Sequence, residues 1–152
     1  MAQWKSADDV LSFAIGEEEA AIAFYSRLAK EANNPAMREA FQQFAGEEKA
    51  HREKLLAVKA GKALPLDSQQ VLDLRIADYM DDIVPTPDMT YSDALALAMK
   101  KEKVAFRLYT YFAAVAKDQT LKTLFLTLAQ EEARHKLRFE IEYDDLMAKA
   151  GN

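Results

Sequence analysis

Cysteine is missing altogether, so the chain can hold no disulfide, no thiolate-bound zinc and no iron–sulfur cluster of its own. Glycine and proline are scarce, four of each. With stretches rich in Ala, Leu, Glu and Lys, that scarcity points to long helices. No apolar run approaches the roughly eighteen residues of a membrane span, and the N-terminus lacks a basic-then-apolar leader. Both absences argue for a cytoplasmic protein with no membrane partner. A basic stripe is missing too: 20 lysines and arginines are interspersed with 25 acids for a net charge of −5, which speaks against nucleic acid. The 152 residues, half of them apolar, are enough for one continuous core, and we read 1–152 as a single domain.

Histidine is the scarcest informative residue. Its two copies sit in near-identical settings, Glu47-Glu48-Lys49-Ala50-His51 and Glu131-Glu132-Ala133-Arg134-His135. In each, a glutamate precedes the histidine by three residues, which on a helix puts both side chains on one face a turn apart. A carboxylate and an imidazole so placed can close on one metal ion.

The apolar pattern predicts four long helices. The first, which Ser6 or Asp8 can cap, carries Leu11, Ile15, Ile22, Tyr25 and Ala29 on one stripe, with Glu18 among them. Asn33-Asn34-Pro35 ends it and starts the second helix, whose stripe reads Met37, Phe41, Phe44, Glu48, His51, Leu55, Val58. Gly61 is a candidate C-cap. Residues 61–92 form a long connection with three prolines, within which Val71 to Val84 can make a short helix. A link of this length suits a crossover running the length of a bundle. Thr90 or Ser92 can cap the third helix, with its stripe at Leu95, Met99, Glu102, Phe106, Tyr109 and Ala113. After a break near Lys117-Asp118 the fourth carries Leu121, Phe125, Leu128, Glu132, His135, Phe139 and Leu146. The expected fold is all-α, a four-helix bundle with a long crossover between helices 2 and 3.

An offset of 84 superposes the two halves, approximately 9–60 and 93–148. Glu18 falls on Glu102, Tyr25 on Tyr109, Glu48 on Glu132 and His51 on His135. A repeat of that length with two copies implies a pseudo-twofold pair of helical hairpins, placing its polar residues symmetrically about one point in the core. Bare carboxylates there would each cost several kcal/mol. Two divalent cations against four carboxylates give a neutral site, and oxygen donors with two nitrogens suit iron or manganese, with zinc as a substitute. Tyr25 and Tyr109 lie on the same faces as the lone glutamates, where their hydroxyls can donate to the carboxylates; packing as core aromatics accounts for them nearly as well. Glu17, Glu19, Glu47 and Glu131 fall off the stripes and are expected to face solvent, as is Glu142 near a helix end.

On these residues (Glu18 with Ala21 and Tyr25, Glu48-Lys49-Ala50-His51, Glu102 with Tyr109, Glu132-Ala133-Arg134-His135) the sequence resembles the rubrerythrin branch of the ferritin-like di-iron carboxylate proteins. The resemblance implies a ferritin-like bundle holding two iron ions. Glu18 and Glu102 would be terminal ligands, Glu48 and Glu132 bridging ligands, and His51 and His135 one nitrogen ligand per iron. It further implies reduction of hydrogen peroxide, with dioxygen as the other oxidant of the class, and an assembly of two chains, a homodimer. Two departures stand out. The four-cysteine rubredoxin-like site of the better-known rubrerythrins has no counterpart, so electrons must come from a separate rubredoxin-type protein or reductase. Ala105 occupies the place, one turn after Glu102, where those relatives carry an extra carboxylate. The same six residues also serve a ferroxidase that handles iron, or a bundle that binds metal without turnover.

Overall fold

The computed structural model describes residues 7–61, 89–116 and 119–150, which fold into four helices with no strand among them. They are α1 (Ala7–Glu31), α2 (Pro35–Gly61), α3 (Tyr91–Val115) and α4 (Gln119–Ala150). The proposed short helix at Val71–Val84, most of the connection around it, Trp4, Ser6 and the Lys117-Asp118 break lie outside the described residues.

Local chemistry sets the helix ends. Asn34 starts α2: its side-chain oxygen accepts from the Ala36 N–H at 2.8 Å while Pro35, which has no N–H to satisfy, takes the first helical position. Of the two candidates for α3, Thr90 is the cap. Its hydroxyl accepts from the Asp93 N–H at 3.1 Å, and the Asp93 carboxylate accepts from the Thr90 N–H at 3.4 Å, a reciprocal capping box. Gly61 is the last residue of α2.

Short links make α1/α2 and α3/α4 antiparallel hairpins, and the backbones pack most closely within each. The Phe41 ring, early in α2, lies 6.2 Å from that of Tyr91, the first residue of α3. The two helices therefore run in the same direction. From Phe41 to Gly61 α2 extends about 30 Å at 1.5 Å per residue, so the last residue of α2 and the first of α3 lie far apart along the bundle. The long crossover expected between α2 and α3 falls on residues outside those described.

The stripes meet in one core. At one end Phe139 of α4 stacks on Phe41 of α2 at 5.7 Å, and lies 5.2 Å from Tyr25 of α1 and 5.5 Å from Phe44. At the other end Phe125 of α4 packs on Phe112 and Tyr109 of α3, at 5.1 and 6.5 Å. One stripe assignment fails. Phe106 is exposed, and α3 buries Val104, Leu108 and Phe112 instead. Residues advance about 100° around a helix, so Phe106 lies about 40° beyond Glu102. The buried arc of α3 is displaced the other way, and Phe106 falls past its edge.

Because Phe139 touches rings from both helices of the opposite hairpin, truncation leaves a cavity at their junction. Phe139→Ala is expected to cost about 3–5 kcal/mol in denaturant unfolding. Leu137→Ala, on the exposed face of the same helix, should cost less than about 0.5 kcal/mol. Equal losses would show that the ring cluster does not join the hairpins.

Candidate metal centre

Each helix sends its stripe polar residues to the same level of the core. Glu18, Glu48, His51, Glu102, Glu132 and His135 are all 2% exposed or less. His51 Nδ1 lies 3.1 Å from Glu132 Oε1, 3.3 Å from Glu48 Oε1 and 3.7 Å from Glu18 Oε1. His135 Nδ1 lies 3.5 Å from Glu48 Oε1, 3.6 Å from Glu102 Oε1 and 3.8 Å from Glu132 Oε1. The donors form two overlapping groups, Glu18/Glu48/His51/Glu132 and Glu48/Glu102/Glu132/His135, with the ligand atoms in each within 4.8 Å of one another. Glu48 and Glu132 belong to both.

The unpaired atoms test whether a metal fits. Glu18 Oε2, Glu48 Oε1, His51 Nδ1, Glu102 Oε2, Glu132 Oε1 and His135 Nδ1 are buried without a hydrogen-bond partner. Buried polar atoms are rarely left so, and here all six sequence-predicted residues contribute one. Each group offers three carboxylates and one imidazole, a set suited to a divalent cation of the iron or manganese type. A narrow cavity among these carboxylates reaches Phe13, Glu17, Lys101 and Ala105 between α1 and α3.

A further set of side chains holds the donors in place, and it is wired across the hairpins. The Tyr25 hydroxyl on α1 donates to Glu102 Oε1 on α3, and the Tyr109 hydroxyl on α3 donates to Glu18 Oε1 on α1. Burial first, then the surrounding carboxylates, pushes both phenols well above their usual range, which keeps the donating protons in place. The histidines are turned so that Nδ1 faces the centre and Nε2 faces outward. His51 Nε2 meets Glu131, and His135 Nε2 meets Glu47 at 2.7 Å. A carboxylate can only accept, so Nε2 carries the proton and Nδ1 is free to bind a cation.

Three glutamates expected to face solvent therefore do not. Glu47 and Glu131 are half-buried and hold the opposite hairpin's histidine. Glu17 is half-buried beside the cavity, where burial raises its carboxyl against the pull of Lys101. Stripe membership on one helix cannot see a partner on another. The available signal was the repeat itself, which keeps a glutamate at both 47 and 131. Glu142, also placed in solvent, is half-buried. Burial raises its carboxyl.

The crowded carboxylates give the metal-free protein a characteristic pH response. Burial opposes charge on His51, but the Glu18 and Glu48 carboxylates facing its ring raise it from 6.5 to about 11. Burial, then repulsion from Glu18 and Glu102, raises the Glu48 carboxyl from 4.5 to about 8. Both groups are protonated more readily in the folded state than in the unfolded one. The stability this adds is complete below 4.5 for Glu48 and below 6.5 for His51, and is lost as pH rises through about 8 and about 11. Chelator-treated protein should therefore melt at progressively lower temperature from about pH 6 to about pH 10. A melting temperature that holds or rises over that range would contradict this electrostatic account. A bound cation reverses the sense, because it requires these groups deprotonated and its binding releases protons.

No curated protein and no solved structure matches the chain. A family profile described as a ferritin-like domain matches residues 6–140, a stretch that takes in all six buried donors and both tyrosines. The chain belongs to the ferritin-like domain family.

Proposed function

We propose that this protein is a rubrerythrin-like di-iron oxidoreductase that reduces hydrogen peroxide with electrons from a separate donor protein. The observation that carries the proposal is the set of six buried, unpartnered donor atoms in two groups sharing Glu48 and Glu132. In this reading Glu18 and His51 complete one iron position and Glu102 and His135 the other. Two ferrous ions held there would supply the two electrons that, with two protons, convert one hydrogen peroxide to two waters.

The chain's own residues do the rest. Four carboxylates offset the charge of two dications, so reduced metal can sit in a dry core. The Tyr25 and Tyr109 hydroxyls hold Glu102 and Glu18 in orientation, and Glu47 and Glu131 fix the imidazole tautomer. Packed rings, among them Phe44 at 4.1 Å from His135, limit water at the centre. No cysteine is present to relay electrons, so we assign that role to a rubredoxin-type protein or a reductase. We place the protein in the cytoplasm as a homodimer; among the described residues no helix is long and apolar enough to cross a membrane.

A ferroxidase is the second reading. Ala105 favours it, because the position offers only a methyl beside the cavity where the peroxide-reducing relatives have an extra carboxylate. Anaerobic loading with ferrous iron followed by rapid mixing separates the two. The peroxidase reading expects di-ferric absorbance to form at least about tenfold faster with hydrogen peroxide than with dioxygen, about 1.4 kcal/mol in barrier. Faster reaction with dioxygen, with iron accumulating beyond two per chain, would favour the ferroxidase. Glu132→Ala should abolish the absorbance in either case while leaving the helical circular dichroism. No absorbance with either oxidant in the native chain would exclude both.

A further inference from the structure

The 84-residue offset pairs the side-chain hydrogen bonds around the centre, Tyr25–Glu102 with Tyr109–Glu18 and His51–Glu131 with His135–Glu47, but one has no counterpart. Glu47 accepts from His135 Nε2 at 2.7 Å and also from the Arg134 guanidinium. Glu131 takes the matching place against His51. The residue that matches Arg134 is Ala50, a methyl group. Among the described residues no lysine or arginine pairs with Glu131. The two carboxylates are similarly shielded from solvent, 24% and 31% exposed, so the guanidinium is what distinguishes them.

The difference bears on the metal. A carboxylate accepting from Nε2–H draws that proton toward itself and makes Nδ1 a stronger donor on the other side of the ring. A carboxylate that also accepts from a guanidinium has part of its charge already engaged and polarises the ring less. Arg134 could act in the opposite sense by bracing the ring, but His135 is already held. Phe44 lies against it at 4.1 Å and the Tyr25 ring meets it edge-on at 6.3 Å, which leaves little freedom for an arginine to remove.

We propose that Arg134 makes the two cation positions unequal. Acting through Glu47, it weakens His135 as a donor, so a divalent cation binds more tightly at the His51 position and fills it first. Arg134 is in this sense a positioning residue. The inference rests on the metal reading above. Its magnitude is limited by water, since the Arg134 side chain is half exposed.

The test is an anaerobic cobalt(II) titration of the full, chelator-treated chain, followed by calorimetry and visible absorption. The native chain should bind two ions in steps whose dissociation constants differ by about tenfold, the lower end of what such outer partners contribute. Arg134→Ala should tighten the weaker step severalfold and leave the tighter one in place, while Arg134→Lys stays close to native. The transplant Ala50→Arg, which sets a guanidinium beside Glu131, should weaken the tighter step. Tightening on loss of a side chain is not what a brace would give, so a weaker second step in Arg134→Ala overturns the proposal. So does an unchanged pair of steps in either Arg134→Ala or Ala50→Arg, with circular dichroism confirming that each variant is folded. Two ions bound equally by the native chain would overturn this inference alone. Fewer than two would overturn the metal reading and this inference with it.

Discussion

Four carboxylates facing one another in a dry core are the constraint to which the rest of the structure answers. Glu18, Glu48, Glu102 and Glu132 cannot all ionise there unopposed, because burial and mutual repulsion each penalise the charged form. Positive charge must enter, as protons or as cations. In the metal-free protein the histidines and the Glu48 and Glu132 carboxyls are pushed toward their protonated forms. The unpartnered Nδ1 and carboxylate oxygens remain as the places where cations would exchange with those protons.

The centre is built so that neither hairpin can complete it alone. Tyr25 reaches from α1 to Glu102 on α3, and Tyr109 makes the reverse connection to Glu18. Glu47 and His135, like Glu131 and His51, link α2 to α4. The hairpins have close backbone packing internally, whereas much of what joins them is polar side chain and the ring cluster around Phe139. Docking the halves and assembling the donors are consequently one event, and whatever neutralises the donors also favours the docked state.

Twofold wiring also makes departures from symmetry readable. Each half serves as the reference for the other, because a residue that the fold itself requires should recur at the offset position. Arg134 against Ala50, Phe44 against Leu128 and Lys101 against Glu17 are three places where it does not. All three lie close to the centre, where Phe44 packs on a histidine ring and Glu17 and Lys101 both line the cavity.

The amino-acid order alone determined the four helices and which six polar residues are buried with their apolar stripes. Apolar residues recur at helical spacing, Asn34-Pro35 and Thr90 mark helix starts, and Glu18, Glu48, His51, Glu102, Glu132 and His135 interrupt stripes that would otherwise be apolar. These signals are local or repeat within the chain, so periodicity reveals them. What only the tertiary structure decided is which side chains meet across hairpins. Glu47 and Glu131 lie off their own helices' stripes, yet each is drawn inward by a histidine 88 or 80 residues away. Phe106 lies on its stripe and is still left outside, because the rotation of α3 about its own axis is set by the helices packed against it. Helical period fixes angles within one helix and carries no information about how its neighbours are turned.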